Sequence, residues 1–143
     1  MTDFHRVTAV FSVAPHLGAD DIARAAKEGF RVLINNRPDS EAAGLMLSAE
    51  AEQAAKAAGL AYYSLPFAGP PPPAIVARTE TLLEQAPGPV LAYCRTGTRS
   101  ITAWAMAQAL AGEMTPDEII ARAAAAGYDL SGARMALQGL YPG

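Results

Sequence analysis

The sequence predicts a single α/β domain: a mostly parallel central sheet of four or five strands with helices on both faces. Three observations carry this. The chain has 143 residues, which at roughly 100–200 residues per domain leaves little room for a second unit. Short apolar runs alternate with amphipathic segments in a βα rhythm that continues almost to the end. The composition is 51% hydrophobic but only 7% aromatic, which suits a core built against small-residue helices and argues against disorder.

The elements follow in order. Residues 8–13 (TAVFSV) read as a first strand, after which Asp20 or Asp21 caps a helix over residues 22–28 that stops at Gly29. Residues 31–35 (RVLIN) form a short apolar strand suited to a sheet interior, and residues 35–40 form its loop. Ser48 opens a helix through Ala58 that ends at Gly59, and residues 60–66 (LAYYSLP) supply the next strand. Prolines 70 to 73 interrupt regular structure, and Pro73 suits the first turn of a helix to residue 86 with Ile75, Leu82, Leu83 and Ala86 on its apolar face. Val90–Tyr93 is the last strand, residues 94–98 a tight loop, and residues 100–110 a helix with Trp104 and Met106 in its core-facing interior. Thr115-Pro116-Asp117-Glu118 has capping-box spacing and predicts a helix over residues 116–126, closed by Gly127; a final helix occupies residues 131–140.

Several classes are excluded or disfavoured. Eleven Lys and Arg against fourteen Asp and Glu give a net charge of −3, so no broad basic surface exists to neutralise a nucleic-acid backbone. The longest uncharged stretch, residues 100–112, reaches about 20 Å as a helix and falls short of a bilayer core of about 30 Å. The first residues show neither the basic region nor the small-residue cleavage site of a signal peptide, so a cytoplasmic location is expected. One cysteine, Cys94, and two histidines, His5 and His16, give neither a disulfide nor a zinc-spaced cluster, and no metal or cofactor is expected. The oligomeric state is not legible.

The chemistry concentrates at Cys94-Arg95-Thr96-Gly97-Thr98-Arg99-Ser100, between a strand and a helix. Backbone N–H groups in such a turn point inward as a nest, and the following helix adds its positive end, so a tetrahedral oxyanion fits there. The same field favours the thiolate, making Cys94 a candidate nucleophile. Arg99 is placed to fork around two anion oxygens, which a lysine does less well. Arg95 is expected to project outward. Thr96, Gly97 and Thr98 complete the cradle, with Gly97 relieving the backbone where φ > 0 is needed. Ser100 is expected either to donate to the thiolate or to cap the helix. The bland alternative is that Cys94 is a small buried hydrophobe.

Elsewhere, Arg37 and Asp39 follow a strand and are candidates for substrate binding and acid catalysis, or else for an ion pair or Asx-turn that shapes their loop. The proline run is expected to stiffen a cleft rim rather than to serve as a polyproline ligand. His5 and His16 are expected to be surface or satisfied polar residues.

The run Cys-Arg-x-Gly-x-Arg-Ser resembles the active loop of single-domain rhodaneses. It is also similar to the Cys-Arg-x-Gly-x-x-Arg-Ser loop of dual-specificity phosphatases with one residue removed. The segments Ile34-Asn35-Asn36-Arg37-Pro38-Asp39-Ser40-Glu41, Ala58-Gly59-Leu60, Gly88-Pro89-Val90 and Ala126-Gly127-Tyr128-Asp129-Leu130 together resemble the phosphatase-like family associated with beta-lactamase-hydrolase-like proteins, over nearly the whole length.

That resemblance implies two chemistries, since such proteins often accompany sulfide-oxidising ones. In one, the thiolate attacks the phosphorus of a phosphoester, Arg99 stabilises the transferring group and water releases it. In the other, the thiolate takes a sulfane sulfur and passes it to a thiol or cyanide. A non-catalytic oxyanion sensor would keep the cradle alone. Three departures from tyrosine phosphatases bear on the choice: Tyr93 replaces their usual His, the arginine comes one residue early, and no Asp lies between Asp39 and Asp117. Asp39 is the substitute acid, and a slow hydrolase is the expectation.

Overall fold

The computed structural model describes residues 2–41 and 44–143. The described residues form a five-stranded sheet in the order β1-β2-β5-β3-β4, built from β1 (His5–Arg6), β2 (Phe11–Ala14), β3 (Val32–Asn35), β4 (Ala61–Ser64) and β5 (Val90–Tyr93). Only β1 is antiparallel, pairing with β2; the remaining pairs are parallel. The helices are α1 (Ala19–Lys27), α2 (Ser48–Ala58), α3 (Pro73–Gln85), α4 (Thr98–Ala111), α5 (Pro116–Ala125) and α6 (Arg134–Leu140), with 3₁₀ turns at Asp39–Glu41 and Ser131–Ala133.

Strand periodicity sorts the core into two layers. Val90 and Ala92 of β5 pack with Ile101, Trp104, Ile119 and Leu137 on one face. Leu91 and Tyr93 face the other way, against Ile22, Ala25, Ala51 and Ala55 of α1 and α2. Trp104 is fully buried and stacks on Phe11 with centroids 5.6 Å apart. Small alanines at 103, 105, 107 and 109 of α4 are buried and allow the helix to lie close to the sheet.

The edges of several elements differ from the sequence expectation. The first strand begins at Phe11 instead of residue 8, because the Thr8 hydroxyl accepts from Val10 N–H and turns the chain. That turn returns the chain from β1, a two-residue strand whose pattern is too short to read. Helix α1 starts at Ala19, with Gly18 at the cap; Asp21 does not precede the helix but reaches back to accept from Gly18 N–H at 3.0 Å. Ser48 is the first residue of α2, with Leu47 at the cap and Glu50 accepting from Leu47 N–H. In α3 the buried residues are Val76, Thr79 and Leu82, not Ile75; the Thr79 hydroxyl is satisfied by the Ile75 carbonyl, so it is tolerated inside. The last helix divides into a 3₁₀ turn and α6. By contrast, the box at Thr115 forms as expected, with Glu118 and Thr115 bonding each other's N–H.

Parallel register gathers the functional segments. Tyr93 pairs with Ala14 and with Asn35, and Asn35 with Ser64. The next residues, Pro15, Cys94, Asn36 and Leu65, therefore leave the sheet at one edge, the carboxyl ends of four strands, where ligand sites of open α/β sheets form.

Candidate active site

Cys94 follows β5 directly and lies beneath the start of α4. Gly97 N–H donates to its sulfur at 3.1 Å. Gly97 is also the cap of α4, with φ of 93°, and its carbonyl accepts from Ile101 N–H. The left-handed turn at Gly97 is what reverses the chain so that an N–H meets the sulfur before the helix begins. Cys94 is fully buried, yet it belongs to neither apolar cluster. Its own loop closes over it in part, with the Gly97 N–H against the sulfur at the head of α4.

The loop is held from several sides. Asn36, itself buried, donates its backbone N–H to the Tyr93 carbonyl at 2.8 Å and its side-chain amide to the Leu65 carbonyl at 3.0 Å. Its side-chain oxygen accepts from the Ser100 hydroxyl at 2.8 Å. One residue thus ties β5, the segment after β4 and α4 together. Ser100 accordingly does neither of the things expected of it; its hydroxyl goes to Asn36 and not to the sulfur or the helix cap. Tyr128, from the turn after α5, donates to the Thr96 carbonyl at 3.0 Å. Burial first, and then the neighbouring Cys94, push the Tyr128 hydroxyl above its usual pKa of 10.0, so it stays protonated as a donor.

Arg99 is the second residue of α4 and is 18% exposed at its side chain. Nη1 donates to the Phe67 carbonyl at 3.0 Å, and Nη2 pairs with Glu41 at 2.6 Å. The guanidinium is therefore oriented by the loop after β4 and by the 3₁₀ turn after β3, with further N–H groups available for an anion. Pro70–Pro73 follow Phe67, so the proline run stiffens a segment that holds Arg99. Arg95 is exposed, as expected, and its carbonyl accepts from His16 N–H at 3.3 Å. Thr96 and Thr98 are also exposed; the Thr96 hydroxyl bonds the Thr98 hydroxyl and accepts from Thr98 N–H.

The residues after β3 are not all brought to the cysteine. Asp39 is exposed and its Oδ1 accepts from Ser48 N–H at 2.7 Å, anchoring the start of α2. Arg37 is buried, and it donates to the Pro38 and Met46 carbonyls; among the described residues no hydrogen bond or ion pair joins it to the 94–100 loop. His16, expected to be superficial or satisfied, instead has a buried Nδ1 with no hydrogen-bond partner among the described residues. The sequence reading passed over three contributors: Glu41, Asn36 and Tyr128. All three lie in segments already picked out, but only the fold says which side chain meets Arg99, which meets Ser100 and which meets the Thr96 carbonyl.

Comparison with known proteins shows the family and the fold. The family model for the phosphatase-like domain of beta-lactamase hydrolase-like protein matches residues 3–111. A beta-lactamase hydrolase-like protein of Agrobacterium fabrum is 31% identical over 129 residues, covering 90% of this chain but 30% of its own length. One from Xylella fastidiosa is 33% identical over 112 residues, covering 78% of this chain and 26% of the relative. The chain thus spans under a third of the curated relatives it matches. Among solved structures, a phosphatase candidate of Neisseria meningitidis Z2491 superposes with a TM-score of 0.81 at 34% identity, covering 94% of this chain and 96% of that one. PTPMT1, solved in complex with PI(5)P, has a TM-score of 0.74 at 19% identity, covering 96% and 93%, a likeness of fold alone.

Proposed function

Because the chain belongs to the phosphatase-like domain family of beta-lactamase hydrolase-like proteins, we propose that it is a cysteine-dependent hydrolase of small phosphoesters, with Cys94 as nucleophile. The single observation that carries this is the sulfur accepting from Gly97 N–H at the head of α4, with the Arg99 guanidinium held beside the same loop. These features support the reading, in which a donor at the sulfur and an arginine anchored beside the loop receive the phosphoryl group.

In the proposed reaction the Cys94 sulfur forms a bond to phosphorus as the P–O bond to the leaving group breaks. Negative charge spread over the phosphoryl oxygens is met by Arg99 and by first-turn N–H groups of α4. The leaving oxygen takes a proton from Asp39 or from water. Water then adds to phosphorus, the S–P bond breaks, and inorganic phosphate leaves. Burial of the sulfur means that the loop mouth must open to admit the ester. With Asp39 engaged at Ser48 and no other Asp before Asp117, acid assistance is weak, and turnover is expected to be slow by up to about 10²–10⁴-fold.

One observation favours a second reading, sulfur transfer through a Cys94 persulfide: the loop is a residue shorter than that of the phosphatases, and moving a sulfane sulfur needs no acid for an alkoxide. A paired assay separates them. The chain and its Cys94→Ser variant are given p-nitrophenyl phosphate in one series and thiosulfate plus cyanide in the other. Cys94-dependent phosphate release supports hydrolysis; Cys94-dependent thiocyanate supports transfer; neither product leaves an oxyanion sensor.

A further inference from the structure

We infer that Tyr128 is a positioning residue for the nucleophile: its hydroxyl acts on the Cys94 sulfur through the one peptide group that joins Thr96 to Gly97. The inference rests on the reading of Cys94 as nucleophile and names the residue that holds the sulfur's donor in place.

Two hydrogen bonds meet on that peptide group. The Tyr128 hydroxyl donates to the Thr96 carbonyl at 3.0 Å. The N–H of the same amide, that of Gly97, donates to the Cys94 sulfur at 3.1 Å. The bond is trans, so its carbonyl and its N–H point opposite ways in one plane. A donor that fixes the first therefore fixes the aim of the second. Among the described residues, Gly97 N–H is the one hydrogen-bond donor to the sulfur, and Tyr128 is the one donor to the Thr96 carbonyl.

The loop does not hold this amide by itself. Gly97 has φ of 93°, and a residue without a Cβ leaves its flanking peptide planes free to rotate. The other bonds of the loop fall to either side. The Thr96 hydroxyl engages Thr98, the Arg95 carbonyl accepts from His16 N–H, and the Gly97 carbonyl accepts from Ile101 N–H. Tyr128, by contrast, is fixed from outside. Its N–H bonds back to the Ala123 carbonyl of α5 at 2.9 Å. Its ring packs on the apolar cluster that includes Ile119 and Ala123, with the His5 ring edge-on at 5.8 Å.

A donor on a carbonyl draws electron density out of the amide and strengthens its N–H as a donor, by about 10–30% per bond in such a chain. A hydrogen bond to an ionised acceptor is stronger than one to a neutral acceptor. Aligning and strengthening Gly97 N–H therefore favours thiolate over thiol. The raised Tyr128 hydroxyl keeps its proton throughout the range in which a thiol ionises. The charged and titratable groups around the relay are His5 against the Tyr128 ring, Asp129 turned to Ser131 N–H, Arg95, Arg99 with its partner Glu41, and His16 at the Arg95 carbonyl. Exchanging the phenol for a phenyl ring alters none of these charges.

The test is NMR of the ¹³C,¹⁵N-labelled chain and of its Tyr128→Phe variant, following the Gly97 amide proton and the Cys94 Cβ across a pH series. Neither signal needs a substrate, so the outcome is independent of the reaction that the sulfur performs. In the variant the Gly97 amide proton should move upfield, and the midpoint of the Cys94 Cβ titration should rise by about 0.5–1 pH unit. With 3-fluorotyrosine at position 128, a stronger donor in nearly the same space, both should move the other way; this protein carries the test if Tyr128→Phe does not fold. A folded Tyr128→Phe chain that loses thermal stability while both signals stay in place would mark the tyrosine as merely structural and overturn the proposal. So would unmoved signals in the fluorotyrosine chain. If both signals move as expected while the paired assay gives no Cys94-dependent product, the relay stands and the hydrolase reading falls.

Discussion

Arg99 and Glu41, fifty-eight residues apart in sequence, meet at 2.6 Å beside the Cys94 loop. The pair is four-fifths buried, so screening is limited and the carboxylate fixes the direction of the guanidinium. The Phe67 carbonyl supplies the second point of fixation. An arginine held at two points from outside the loop is already ordered, which is what the proposed role as an oxyanion clamp requires.

Substitution at this pair should separate anchoring from chemistry. Arg99→Lys should lower kcat/KM for p-nitrophenyl phosphate by about 10²–10³, because the fork is lost along with an oxyanion donor. Glu41→Gln keeps the shape but weakens the hold, and should cost about tenfold, mainly in KM. Steady-state kinetics of both variants check this, with thermal unfolding confirming that each is folded.

Gly97 is required twice over. Its φ of 93° disfavours any side chain, and a Cβ there would run into the Tyr128 hydroxyl and lie 2.9 Å from its Cζ. Gly97→Ala should destabilise the chain by about 1–3 kcal/mol through the backbone alone, with the collision in addition. In a Tyr128→Ala background the collision is gone and the cost should fall toward the backbone value. Urea denaturation of the four proteins of this cycle measures the difference.

Asp39→Asn isolates a proton from a scaffold. The Oδ1 that accepts from Ser48 N–H has a counterpart in Asn, so the anchor of α2 should survive and stability should change little. If Asp39 donates the proton, phosphate release from an alkyl phosphate should fall about 10²-fold or more, while release from p-nitrophenyl phosphate, whose leaving group needs little assistance, should fall less. Equal rates for wild type and variant on both substrates remove Asp39 from the mechanism.

Acid stability should depend on Asp21. Burial pushes its carboxyl up, but the N–H groups of Gly18 and Thr2 and the Arg24 charge outweigh that and hold it below 3.8. The folded value lies below the unfolded one, so the stabilisation is fully present above the unfolded pKa of about 3.9 and is lost as pH falls through the folded value. Asp21→Asn should cost about 1 kcal/mol at pH 7 and flatten the loss of stability in that acid window, as read from denaturation at a series of pH values.

The sequence made the architecture legible because its period changes are clean: β5 has the predicted bounds, and α2 ends at Gly59 in the left-handed conformation. The cysteine loop was legible because its residues are consecutive. Less visible were features decided by contact across the fold. Nothing local in Ser100 says that its hydroxyl will meet Asn36, sixty-four residues away, and the Thr8 turn hides inside a stretch of good strand formers. The arginine at 37 looks like a substrate binder by composition, but the alternation of β3 sends its loop neighbours Asn36 and Arg37 to different partners, one to the α4 side and one to the carbonyl of Met46.

The most direct test of the account is to quench the reaction with p-nitrophenyl phosphate in acid and weigh the intact protein, with Cys94→Ser alongside. A phosphoryl adduct mapped to Cys94, formed before free phosphate and absent from the variant, is the predicted result. Phosphate released at the same rate by both proteins, with no adduct on sulfur, would contradict it.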